Sequence, residues 1–172
     1  MTAKRTAQEE AARYLASRMR TTREVRDRLR DRGYEPEEIR EVLKEFTDLG
    51  YLDDAGYARR YCEYAYEKLR GRRRILLELG ERGIDAETAA NACEDVRYEF
   101  GIDERANALT AALRVTADLP GPPEQKHLAR VARRLESLGY DNGTILSVLT
   151  QVRDKGDSDE DLCDCGSAPV QP

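Results

Sequence analysis

The chain has 172 residues, 37% charged and 40% apolar, with two Phe, no Trp and a formal net charge of −5. So much charge and so few large aromatics exclude one thick core and favour thin helical layers, each helix burying a single stripe. No apolar run reaches the roughly 18 residues of a membrane span and no leader-like stretch opens the sequence, so a cytoplasmic protein is expected.

Prolines fall at boundaries, none lies between Glu37 and Leu119, and strand-like alternation is absent, so the chain is expected to be all-α. A first three-helix module over 7–50 uses helices at 7–19, 22–32 and 36–49. Thr21-x-x-Glu24 is a capping box for the second helix, and Pro36 with Glu37 and Glu38 starts the third. Gly50 sits where a helix C-terminus needs a left-handed residue, and Asp53 follows as the next N-cap. A second module over 51–99 uses helices at 54–69, 72–82 and 86–96. In its first helix Tyr57, Ala58, Tyr61, Cys62, Ala65 and Leu69 recur at helical spacing as one apolar face. Gly71 breaks that helix, and Arg72, Arg73 and Arg74 open the next. A third module over 100–153 uses helices at 103–117, 124–138 and 142–152, lengthened by the loop Pro120-Gly121-Pro122-Pro123. Residues 154–172 read as a disordered acidic tail.

The modules repeat. Leu29-x-x-x-Gly33-Tyr34, Leu79-x-x-x-Gly83-Ile84 and Leu135-x-x-x-Gly139-Tyr140 each close a second helix, and apolar residues at i, i+3 and i+4 follow in the third. Similarity at a fixed period signals tandem modules, here expected as an elongated, curved array in which each contacts its neighbour.

Charge is unevenly placed. Six of the 34 acids but one of the 29 bases lie between Asp154 and Asp164, which leaves residues 1–153 balanced at 28 of each. Within them, Arg23, Arg26 and Arg30 occupy about a 60° sector of the second helix, opposite Val25 and Leu29. Lys68, Arg70, Arg72, Arg73 and Arg74 surround the break at Gly71, and bases at a helix N-terminus oppose the macrodipole, which points to an external anion. These eight residues are the candidate partner-binding set, since arginine pairs bidentately with carboxylate or phosphate. The competing reading is a set of solvated helix faces.

Three helices per module also resemble a helix-turn-helix unit, whose recognition helix presents basic and amide groups to DNA. The third helix of the first module instead carries Glu37, Glu38, Glu41 and Glu45. Catalytic motifs are missing: no Gly-rich phosphate loop, H-E-x-x-H, C-x-x-C or nucleophile elbow occurs. Asp53-Asp54 reads as capping, and His127 has no evident catalytic partner. Tyr57, Tyr61 and Tyr64 read as core or interface. Cys62 and Cys93 fall on apolar faces, while Cys163 and Cys165 supply two ligands where zinc takes four. Neither enzyme activity nor a metal or other cofactor is expected.

The string Leu49-Gly50-Tyr51-Leu52-Asp53-Asp54 with Tyr57-Ala58-Arg59, then Gly71-Arg72-Arg73-Arg74-Ile75 with Glu78-Leu79 and Arg82-Gly83-Ile84, resembles the RecX family, modulators of RecA recombinase. Tyr14-Leu15, Thr22, Glu24-Val25, Leu29 and Gly33 fit the same family upstream. The resemblance covers 11–96 well, is patchier over 101–152 and stops beyond. It implies a monomeric regulator that lies in the groove of the RecA–DNA filament and inhibits its assembly, ATP turnover and co-protease activity. The settings it implies are homologous recombination, DNA repair and the SOS response. Single-stranded DNA inside the filament is a further candidate contact. Two other readings stand beside it: a stand-alone DNA-binding regulator, and an α-helical scaffold for another protein.

Overall fold

Capping chemistry decides where the helices of this chain begin. The computed structural model describes residues 5–119 and 123–160, with the backbone alone for 155–160. Among the described residues there are nine helices and no strand: α1 Ala7–Leu15, α2 Thr22–Asp31, α3 Pro36–Asp48, α4 Asp54–Glu67, α5 Arg72–Glu81, α6 Ala86–Glu99, α7 Glu104–Thr116, α8 Gln125–Leu138 and α9 Asn142–Glu160. The all-α expectation holds. At α2 the Thr21 hydroxyl accepts the Glu24 N–H at 3.1 Å while the Glu24 carboxylate accepts the Thr21 N–H at 3.0 Å. Thr6 and Glu9 repeat that reciprocal pair at α1. Asp53 accepts the Gly56 N–H at 2.8 Å, as its place after Gly50 requires.

Asp85 and Asp141 cap α6 and α9, accepting the N–H of Thr88 at 2.9 Å and of Thr144 at 3.0 Å. The Thr88 N–H and hydroxyl hold the Asp85 carboxyl below the usual range, and the Thr144 hydroxyl and N–H do the same to Asp141. A folded pKa below the unfolded value of about 3.9 gives stability that is whole above that value and is lost as pH falls through the folded pKa. Changing Asp85 and Asp141 together to Asn is therefore expected to flatten the fall in thermal midpoint between about pH 4 and pH 2. A fall as steep as in the parent chain would remove the linkage.

The second helix of each triad ends in the same way. The N–H of Tyr34 reaches back to Leu29 O, that of Ile84 to Leu79 O and that of Tyr140 to Leu135 O, at 3.1–3.3 Å. The intervening Gly33, Gly83 and Gly139 hold φ of 75°, 84° and 88°, open to glycine without steric cost. Leu29, Leu79 and Leu135, which supply the accepting carbonyls, are wholly buried.

Two compact units result, Met1–Lys68 with Ile75–Ile102, and Leu69–Arg74 with Asp103–Pro172. The first holds two apolar cores, one around Val25, Leu29, Val42 and Phe46 and one around Ala58, Cys62, Ile75, Cys93 and Val96. Two polar links join these triads: the Thr21 hydroxyl donates to Arg82 O at 2.7 Å, and the Asp54 carboxylate accepts the Thr22 N–H at 2.8 Å. Glu10 is buried under α2, its carboxylate 2.9 Å from the Arg28 guanidinium and 3.5 Å from that of Arg32. Both arginines are partly exposed and rehydrate easily, so Glu10→Gln is expected to cost about 1–2 kcal/mol in urea unfolding, less than breaking a fully buried pair. No measurable loss would show the carboxylate to be dispensable.

The second unit packs α7, α8 and α9 around Val131, Leu135, Tyr140 and Val148. Residues 69–74 join it through two hydrogen bonds: the Gly71 N–H donates to Leu138 O at 2.8 Å, and the Tyr140 hydroxyl donates to Leu69 O at 2.8 Å.

Several boundaries depart from the pattern read in sequence. α1 ends at Leu15, four residues before 19; Ser17 beyond it turns its hydroxyl to Tyr14 O at 3.4 Å. α4 ends at Glu67, and Leu69 does not extend the stripe of Ala58, Cys62 and Ala65. It takes a left-handed φ of 57° and packs on the core of the second unit instead. Helical phase cannot register that the chain must turn there to bring Gly71 to Leu138. α6 reaches Glu99, and the backbone of α9 continues past Val152 to Glu160. Pro120-Gly121-Pro122 and residues 161–172, with Cys163 and Cys165, lie outside the described residues.

Candidate functional site

The eight candidate residues fall into two groups. Arg23, Arg26 and Arg30 are all exposed on α2, in the first unit. Asp27 divides that stripe: it lies 3.8 Å from Arg23 and 3.0 Å from Arg30. The methylenes of Arg23 also cover Gly83, where a side chain would collide with them. Two of the three guanidiniums are thus partly committed within the fold, and Arg26 is the member outside that ion-pair arrangement.

Lys68 caps the C-terminus of α4 in the first unit, with its ammonium 5.6 Å from the centre of the Tyr64 ring. Arg70, Arg72, Arg73 and Arg74 belong to the second unit. Arg70 and Arg72 are half-buried, Arg73 and Arg74 exposed, and Arg70, Arg72 and Arg74 make further interactions within the fold. Their backbone is packed: a methyl on Gly71 would meet Gly139 O at 2.6 Å and Tyr140 N at 2.8 Å, and one on Gly139 would meet Arg74 N at 2.5 Å. With glycine before it, α5 takes no side-chain cap from that position, and its positive end is joined by three further cations. Positive potential at a helix start of this kind favours anionic groups.

The remaining polar candidates serve the fold. Asp53 and Asp54 both accept backbone N–H groups, and His127 accepts the Glu124 N–H through Nδ1 at 3.1 Å. Tyr57 and Tyr61 stack at 6.5 Å and pack on the second core, with Tyr61 donating to buried Glu78 and Arg82 lying 4.6 Å over its ring. Tyr64 is 49% exposed, whereas Tyr66, which the stripe did not include, is buried. Among the described residues no group of three or more His, Cys, Asp or Glu is placed to hold a metal ion, and no helix is long and apolar enough to cross a membrane.

Sequence reasoning overlooked one feature. Leu49 and Phe100 are about equally exposed, at 60% and 59%, and each is the C-cap residue of a third helix, ahead of Gly50 at φ 73° or Gly101 at φ 58°. Tyr51 and Tyr98 stand beside them at 66% and 92% exposed. The signal was present as an apolar residue before a helix-ending glycine, repeated in two modules, although apolar residues there are ordinarily assigned to the core.

Repeated helical triads, closed each time by the same glycine turn, define an all-helical protein of tandem three-helix modules. Comparison with known proteins makes the class specific. The RecX first three-helix domain matches residues 7–46 and the RecX second three-helix domain matches residues 53–92. The regulatory protein RecX of Streptomyces lividans is 31% identical over 157 residues, covering 90% of this chain and 81% of that one. The regulatory protein RecX of Lacticaseibacillus paracasei is 32% identical over 143 residues, covering 81% of this chain but 57% of its own. The crystal structure of RecX from Lactobacillus salivarius superposes with a TM-score of 0.70 at 23% identity, over 85% of this chain and 94% of that chain, a likeness of fold. The chain belongs to the RecX family of regulatory proteins.

Proposed function

We propose that this protein regulates RecA recombinase by binding the RecA–DNA nucleoprotein filament in the cytoplasm, as a monomer, and inhibiting its assembly and activities in recombination and DNA repair. The observation that carries the reading is repetition: helix ends of the same geometry recur at Gly33, Gly83 and Gly139, so the chain is a tandem series of like units, which suits a partner that itself repeats. The modules 7–50, 51–99 and 100–153 are the contact units in this reading. Leu49 and Phe100 are matched apolar anchors, and the cations at Lys68–Arg74 and on α2 meet carboxylate, or the phosphate of single-stranded DNA, in the groove.

A stand-alone DNA reader is disfavoured by α3, whose exposed Glu37, Glu38, Glu41 and Glu45 would repel phosphate. A pull-down against RecA, with and without single-stranded DNA and a non-hydrolysable nucleotide, tests the proposal. Retention is expected on the assembled filament; absence of retention in every condition overturns it. Salt separates the two classes, because direct DNA binding falls steeply with ionic strength and a mixed-charge protein interface less so.

A further inference from the structure

The core of the second triad contains two thiols that the regulatory reading leaves unused. Cys62 on α4 and Cys93 on α6 are both wholly buried, and their sulfurs lie 3.4 Å apart. Small residues bring the two helices close at this level: Ala58 and Ala65 flank Cys62 on one side, and Ala89 and Ala92 precede Cys93 on the other. A disulfide needs a separation of about 2.05 Å, so each sulfur has to travel by roughly 0.7 Å, within the reach of a small side-chain rotation. We propose that Cys62 and Cys93 form a reversible intramolecular disulfide, a redox modification site that ties α4 to α6.

The oxidant is hydrogen peroxide. One thiolate attacks a peroxide oxygen, the O–O bond breaks, and a sulfenic acid forms as the first water leaves. The neighbouring thiol then attacks the sulfenic sulfur; the S–S bond forms as the S–O bond breaks, and the second water leaves. Two thiols and one peroxide become one disulfide and two waters, and a dithiol reductant reverses the change by exchange.

Burial governs the rate. The hydrogen bond with Cys93 and removal from water push the Cys62 thiol well above the usual range, so thiolate is scarce in the closed core. The first step waits for α4 and α6 to part locally, whereas the second is fast because reclosure returns the partner sulfur to contact distance. Once made, the bond joins positions 31 residues apart and opposes the same opening that admitted the oxidant. Oxidation thereby converts a core that opens transiently into one that is held shut.

The test uses the full chain with Cys163→Ser and Cys165→Ser, which removes the tail thiols. After hydrogen peroxide and thiol blocking under denaturing conditions, proteolytic mass spectrometry is expected to find Cys62 and Cys93 peptides cross-linked, lighter by the two hydrogens lost. Dithiothreitol should separate them, and the oxidised chain should unfold at a higher denaturant concentration than the reduced one. Adding Cys93→Ser, or Cys62→Ala if that variant does not fold, should abolish both the cross-link and the shift. Recovery of both thiols blocked and unoxidised, over-oxidation without a cross-link, or a cross-link made only after unfolding in urea would each overturn the proposal.

Discussion

Replacing Arg72, Arg73 and Arg74 together with Glu is expected to weaken binding to the RecA filament by about 2–5 kcal/mol, the range for losing hydrogen-bonded charge contacts that are desolvated in an interface. The change reverses the sign at the positive end of α5, so a carboxylate or phosphate that the arginines receive would be repelled. The helix itself should persist, because acids suit a helix N-terminus better than bases and the buried faces of α5 begin at Ile75. The Arg23, Arg26 and Arg30 triple change should give a smaller loss, since Arg23 and Arg30 already lie near Asp27. Filament affinity and circular dichroism of both variants check this. Unaltered affinity in a folded Arg72 to Arg74 variant would identify the cluster as a solvated face.

The largest stability effect is expected at Gly139. Alanine there has two difficulties: a φ of 88°, and a methyl 2.5 Å from Arg74 N and 2.9 Å from Arg74 Cα. Backbone cannot swing aside as a flexible side chain can, so the segment 69–74 must shift and strain its bonds to Leu138 and Tyr140. The total cost is about 3–4 kcal/mol, of which about 1 kcal/mol is the left-handed conformation alone. Gly33 isolates that smaller part, having a φ of 75° and nothing within 4 Å of the added methyl. Gly33→Ala is therefore expected to cost about 1 kcal/mol. Equal losses in denaturant titrations of the two variants would mean that the Gly139 contact yields freely.

What could be read in sequence was whatever short-range chemistry dictates. The reciprocal cap of Thr21 and Glu24, the Asp53 cap and the helix-ending glycines depend on residues a few positions apart, and all are present in the structure. The apolar stripe through Ala58, Cys62 and Ala65 likewise follows from periodicity. Leu69 shows where this stops: its helical phase is right for the stripe, but the hydroxyl that fixes its turn comes from Tyr140, a separation no local pattern encodes. The candidate arginines were legible as charge but not as setting. Packing of Gly71 on Gly139, and the share of Asp27 in the α2 stripe, are properties of the folded chain. Leu49 and Phe100 escaped notice because exposure is decided by what fails to cover a residue.

The division of the chain also bears on how it is made. Leu69–Arg74 is flanked on both sides by sequence of the first unit but takes its own hydrogen bonds from residues as far as 71 positions downstream. On the ribosome, Gly71 therefore emerges long before Leu138 and Tyr140 exist to receive it. A chain that has emerged as far as Ile102 holds the sequence of both early cores, while Leu138 and Tyr140, which bond the backbone of the arginine segment, are still to come. The contacts of that segment with the turn at Gly139 therefore wait until the turn itself has emerged, late in the making of the chain.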